Sequence, residues 1–233
     1  MSTMKKLLLL LLFLVAGFSL SAQNIKSRSI DAKDIISLLR NDGYDLYSFD
    51  LNDFMKGDYN VTLYIKEYSK EAGEINSRGF DAGGNKILFS QFTEEEKKAA
   101  KELGLTKGMK RGIFYKIDRI NLALISNKAD SLMKLNAEYG NLGAVSQRLK
   151  LRPISAENVY KYEIRPFVID NFESGKFIPL VAILSYWYDE KAKLIRCCGE
   201  PMLKSDLSDE ILENVPHYYI IGVTLDKIEK KEN

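Results

Sequence analysis

The chain has one histidine, one tryptophan and two cysteines among 233 residues, and each scarcity removes a class of chemistry. A single histidine excludes sites that need two, such as the His-Glu-x-x-His zinc hydrolases. A Ser-His-Asp relay would have to use His217, yet no Gly-x-Ser-x-Gly elbow supplies its nucleophile. His217 follows Pro216 and leads into Tyr218-Tyr219-Ile220-Ile221, which reads as a residue at the mouth of a strand. Phosphate-binding glycine loops are missing, and the glycines at 79, 83 and 84 have the wrong spacing for one. No cofactor and no metal are expected. Acidic residues are plentiful, but nothing in the sequence picks out a catalytic pair.

The cysteines, Cys197 and Cys198, are adjacent. Adjacent Cα atoms lie about 3.8 Å apart, whereas a disulfide usually wants about 4.4–6.8 Å. A bridge between the two would be strained and would close no useful loop. In a strand their side chains face opposite ways, so one thiol is expected inside and the other outside.

Charge of one sign is also missing. The formal net charge is +2, and Lys5 and Lys6 account for it. They precede an unbroken apolar run over residues 7–16, then a softer stretch ending at Ala22 before Gln23-Asn24. This is the three-part pattern of a cleaved secretory signal peptide over residues 1–22. It is shorter than the roughly 20 apolar residues a spanning helix needs. Without it the chain is neutral and has no global field to attract nucleic acid or an anionic membrane. No transmembrane segment is expected after cleavage, and no cysteine at the cut offers a lipid anchor. The expected location is periplasmic or extracellular. The leader, ending Leu20-Ser21-Ala22-Gln23, resembles those of uncharacterised secreted proteins of Bacteroidetes, of the domain-of-unknown-function type. The resemblance covers the leader and the general style of the chain and implies no activity.

Along the mature chain, residues 31–39 read as a helix stopped by Asn41-Asp42-Gly43. Residues 44–51 and 60–68 read as strands, 69–86 as a long glycine-containing loop, and 87–91 as a short strand. Thr93-Glu94-Glu95-Glu96 caps a helix running to Leu103. Residues 112–126 read as a long strand or a bent pair, and 128–138 as a helix. Strands follow at 159–170, 177–188 and 194–198, then a short helix after Ser208-Asp209-Glu210 and a last strand at 218–225. The expected fold class is α+β, mostly antiparallel sheet with a few flanking helices.

Two related halves are expected, 23–142 (α-β-β-β-α-β) and 143–233 (β-β-β-α-β). Residues 36–68 lie on 154–186 without a gap, matching Tyr44 with Tyr162, Phe49 with Phe167, Gly57 with Gly175, Ile65 with Ile183 and Tyr68 with Tyr186. Equivalent hairpins at 44–68 and 162–186 would follow. A groove between the halves would offer a place for a ligand.

Two segments are candidates for binding. Tyr186-Trp187-Tyr188 is the densest aromatic run and suits a platform for a sugar or a partner protein. The bland alternative is a core strand with a buried indole. Arg78, Phe80 and Asp81 lie in the segment by which the first half exceeds the second, where a loop carries function or mere slack. The expected function is a non-catalytic exported binding or interaction module with a protein or glycan ligand. The alternative is a carboxylate-based periplasmic hydrolase acting on glycan or peptidoglycan.

Overall fold

The computed structural model describes residues 31–229 apart from 52, 55–56, 110–111, 127–130, 141–142, 155–158, 170–172, 190 and 198. The leader, Cys198 and residues 170–172, between the strands expected at 159–170 and 177–188, lie outside the described residues. The chain divides into two compact units, Met1–Ile35 and Ile36–Asn233. Helix α1 (Ala32–Asn41) begins in the first, and none of its residues is buried. Gly43, at φ +86, ends it, a left-handed conformation that glycine adopts without a Cβ penalty.

In the second unit the strands are β1 (Tyr44–Asp50), β2 (Tyr59–Ser69), β3 (Gly73–Gly84), β4 (Lys86–Leu88), β5 (Ile113–Tyr115), β6 (Arg119–Ser126) and β7 (Leu132–Tyr139). They continue with β8 (Gly143–Lys150), β9 (Tyr162–Val168), β10 (Ile178–Ser185), β11 (Trp187–Asp189), β12 (Leu194–Arg196), β13 (Leu203–Lys204) and β14 (His217–Lys227). The remaining helices are α2 (Glu94–Glu102) and α3 (Glu210–Asn214). The expected α+β class is therefore corrected. Fourteen strands against three α-helices among the described residues make the fold mostly β.

Two sheets dominate, with strand orders β1-β6-β7-β8 and β13-β9-β10-β14-β2-β3. Alternating side chains put Val61, Leu63 and Ile65 of β2, Leu122 and Leu124 of β6, and Met133 and Leu135 of β7 into one buried cluster. Val181 and Ile183 of β10 join it with Tyr219, Ile221 and Val223 of β14. The two sheets thus enclose a common core, the arrangement of a β-sandwich. Each fully buried Leu, Ile or Val contributes roughly 1.5–3 kcal/mol of hydrophobic free energy.

A second cluster forms on the outer face of the six-stranded sheet. Phe167, Ala182, Leu184 and Ile220 there meet Leu203, Ile211, Leu212 and Val215, so α3 covers that face. Strand β10 is buried along its whole length, which explains its unbroken apolar sequence. Its register with β14 shifts between Pro179 and Val181. The extra residue of this bulge lets both Leu180 and Val181 reach the inner core.

Three further expectations are corrected. Residues 128–138 were to be helical, but β7 pairs in register with β6 and β8. Met133, Leu135 and Ala137 alternate with Lys134, Asn136 and Glu138, a period of two that outweighs the helix-forming composition. Residues 69–86 are not a loop. β3 runs beside β2 from Ser69↔Gly73 to Asn60↔Gly84, its two register shifts accommodating a glycine-rich strand. Segment 177–188 is not one strand, since it breaks at Tyr186 between β10 and β11.

The equivalence of the two halves is not met either. β9 and β10 pair as a hairpin, whereas β1 pairs with β6, and β2 pairs with β14 and β3. Leu63, Ile65, Val181 and Ile183 do all face the core. Gly175 adopts φ +78, however, and Gly57 is not among the positive-φ glycines. Both large sheets take strands from either side of residue 142. The alignment of 36–68 with 154–186 therefore reflects two apolar strand patterns, and it no longer gives a reason to expect a groove between halves.

Candidate functional site

The aromatic run and the sole histidine meet in one place. A pocket of about 420 Å³ is lined by Tyr186, Trp187, Tyr188 and His217, with Lys70, Glu71, Arg152 and Asn214 also on its wall. That volume falls within the roughly 300–1,000 Å³ of small-molecule sites. Four chain segments converge here. Lys70 and Glu71 follow β2, and the Lys70 amide donates to the Pro216 carbonyl at 3.1 Å. Arg152 follows β8, the aromatic run leaves β10, and Asn214 closes α3.

The strand break at Tyr186 is what turns three consecutive aromatics toward one pocket. The Tyr186 amide donates to the Lys161 carbonyl at 2.9 Å, and Lys161 Nζ sits 4.8 Å from the Tyr186 ring centroid. One face of that ring is therefore taken by a cation. Trp187 packs in part against the outer apolar cluster, so its indole lies between the two expected extremes of core and platform. Tyr188 is 40% exposed.

His217 opens β14, at the mouth of a strand as the sequence indicated, and is only 1% exposed. Its Nε2 lies 3.0 Å from Glu67 Oε1, and its Nδ1 lies 2.6 Å from Tyr162 Oη. A carboxylate can only accept, so Nε2 carries the proton facing Glu67. In the neutral ring Nδ1 is then bare and accepts from the Tyr162 hydroxyl. That hydroxyl oxygen in turn accepts from the Arg152 amide at 2.9 Å. Tyr219 stands edge-on to the imidazole and donates to the Lys150 carbonyl at 2.9 Å. The network ties the six-stranded sheet to the end of β8 beneath the pocket.

Burial holds the His217 pKa below its ordinary 6.5, with the Glu67 hydrogen bond pulling the other way and the Arg152 charge adding to the depression. In an unfolded chain the imidazole protonates near 6.5. The folded state resists that proton, so stability falls as pH drops through 6.5 toward the lower folded value and then levels off. Urea denaturation between pH 7.5 and 5.5 is expected to show this loss, and His217→Gln to flatten it. With one histidine in the chain, a flat wild-type profile would contradict the assignment.

A second polar cluster lies on the outer face of β9. Arg165, whose side chain is 4% exposed, pairs with Glu163 at 3.1 Å and donates to the Glu200 carbonyl at 2.8 Å. Cys197, a free thiol, donates to the same Glu163 oxygen at 2.7 Å. Burial, then the Glu163 hydrogen bond and charge, push the Cys197 thiol up to about 12, against the opposing pull of Arg165. A thiol held protonated in this way is a poor nucleophile.

Arg78, Phe80 and Asp81 do not join the pocket. Arg78 donates across to Gln147 of β8 at 3.2 Å, and Phe80 packs on the core. Asp81 accepts from Asn60 and from the Gly83 amide. All three hold β3 in place. Lys70, Glu71, Arg152 and Asn214 were not singled out from sequence, because they stand in separate segments with no shared motif. Among the described residues no group of three His, Cys, Asp or Glu side chains is placed to hold a metal. No described helix is long and apolar enough to cross a membrane.

No curated protein and no solved structure matches the chain. Residues 16–227 match the family described as Domain of unknown function (DUF5041), which covers all of the large sheets and every residue of the pocket wall. The chain belongs to that family.

Proposed function

We propose that this protein is an exported, non-catalytic binding module that holds its ligand, a glycan, at the pocket walled by Tyr186, Trp187 and Tyr188. The observation that carries the reading is the convergence of the one dense aromatic run onto an open pocket. Aromatic faces stack on sugar rings and give contact area at little entropic cost. The polar remainder of the wall, Lys70, Glu71, Arg152 and Asn214, supplies donors and acceptors for hydroxyl groups. Hydrolysis by paired carboxylates is the reading this displaces. It needs two carboxyl groups about 5–9.5 Å apart across the ligand, and the described wall offers Glu71 alone.

Export is supported by Lys5-Lys6, the apolar run 7–16 and the small Ala22. The likeness of that leader to Bacteroidetes signal peptides supports a bacterial periplasmic or extracellular location. Expression of the full chain in such a host is expected to yield protein beginning at Gln23 by mass spectrometry. Recovery of residues 1–22 on membrane-bound protein would contradict it.

A thermal-shift screen of the mature chain against glycan and peptide collections tests the binding reading. A true ligand at about 100 times its dissociation constant adds roughly 2.7 kcal/mol of stability. Tyr188→Ala, at an exposed position, is expected to fold normally and to lose that gain. Glycan turnover without retention, or stabilisation that survives in Tyr188→Ala, would overturn it. A peptide hit would leave the pocket and change the ligand class.

A further inference from the structure

We propose that the pocket is specific for an acidic sugar, with the sugar carboxylate held by Arg152 and Lys70 and its ring laid against the aromatic wall. This rests on the reading of the pocket as a glycan site and adds the charge of the ligand. Among the described residues of the wall, two cations, Lys70 and Arg152, stand against one carboxylate, Glu71. His217 beneath them is neutral at pH 7, because burial depresses its pKa. Neither Arg152 nor Lys70 has an ion-pair partner among the described residues, although other surface cations do, as Lys66 pairs with Glu74 and Arg196 with Asp189.

The consequence is a matter of counter-charge. A neutral sugar offers these two exposed cations hydroxyl hydrogen bonds but no counter-charge. A carboxylate supplies it, and a guanidinium engages a carboxylate through two parallel hydrogen bonds. Both cations are well positioned by their backbones. The Arg152 amide is fixed on Tyr162 Oη and the Lys70 amide on the Pro216 carbonyl. Lys161 does not contribute in the same way, since its ammonium is committed to the Tyr186 ring. Glu71 remains on the wall as an acceptor for ring hydroxyls, and it would repel a second acid at that end.

Isothermal titration of the mature chain with trigalacturonate and with its methyl ester tests the proposal, since the two share ring shape and differ in charge. The acid is expected to bind at least tenfold more tightly, with affinity falling as salt rises. Arg152→Ala and Lys70→Ala are each expected to weaken the acid about tenfold and the ester much less. Tyr188→Ala is expected to weaken both. Equal affinity for acid and ester, indifferent to Arg152→Ala, overturns the charge specificity and leaves the glycan pocket standing. Failure of the acid to bind at millimolar concentration overturns the proposal outright. If neither compound binds and the wider glycan screen is also silent, the pocket reading falls with it.

Discussion

Gly222→Ala is expected to lower the melting temperature by about 6–12 °C. Gly222 sits in the middle of β14, paired with Tyr64 on one side and Pro179 on the other. A Cβ at this position would overlap the Ile178 carbonyl oxygen and the Phe177 ring. The carbonyl belongs to the backbone of β10 beside the bulge and cannot retreat without breaking the pairing of the two central strands. Overpacking of this kind costs about 3 kcal/mol, and a domain of this size loses roughly 2–4 °C per kcal/mol. Phe177 crosses the glycine because nothing projects there. Its ring also meets Tyr64 edge-on and carries Lys66 above it at 4.7 Å. Phe177→Ala added to Gly222→Ala removes one of the two overlaps, so the pair is expected to be less harmful than the sum of the single changes. Calorimetry of the four proteins checks the cycle. Additive losses would mean that the ring is not seated on the glycine.

Glu163→Gln is expected to destabilise the fold by about 3 kcal/mol and to make Cys197 reactive. The glutamate is the carboxylate partner of Arg165, and removing one member of a buried pair leaves an uncompensated charge, at a cost of about 3–5 kcal/mol. Glu163 is 38% exposed, so water reaches its side of the pair and the lower figure applies. The thiol supplies a second, independent readout. After burial, Glu163 is the main influence that raises its pKa, and without that carboxylate only burial opposes the pull of Arg165. In a Cys198→Ser background, native-state alkylation at pH 8 is expected to be slow for the parent and faster for Glu163→Gln. Equal rates would show that the carboxylate does not hold the thiol proton.

The residues show plainly why some of this was legible in sequence. The Thr93-Glu94-Glu95-Glu96 signal is local, and α2 carries the full capping box, with Thr93 Oγ1 accepting from the Glu96 amide. Gly43 and His217 were placed correctly for the same reason, as each is defined by its immediate neighbours. What failed depended on pairing across the fold. β3 looks like a loop because Gly73, Gly79, Gly83 and Gly84 dilute its pattern, and only the register with β2 makes it a strand. β7 has the composition of a helix, yet Leu135 and Ala137 face the opposite sheet and Lys134 and Asn136 do not. The repeat misled because β2 and β10 are both inner strands of one sheet and must each present apolar side chains to the same core. The site was half legible. Tyr186-Trp187-Tyr188 is contiguous and stood out, whereas Arg152 and Lys70 reach it from loops more than thirty residues away in sequence.

The position of the only tryptophan offers the most direct test that the pocket at 186–188 is where the protein binds. Trp187 is on the wall, and Arg78, Phe80 and Asp81 are not. Titrating any ligand that stabilises the mature chain while following tryptophan emission is expected to give a saturable spectral shift, with the same midpoint as the thermal stabilisation. A ligand that stabilises the protein while leaving Trp187 emission unchanged, and whose effect is lost in Arg78→Ala or Asp81→Ala, would place the binding surface on β3 and contradict the account.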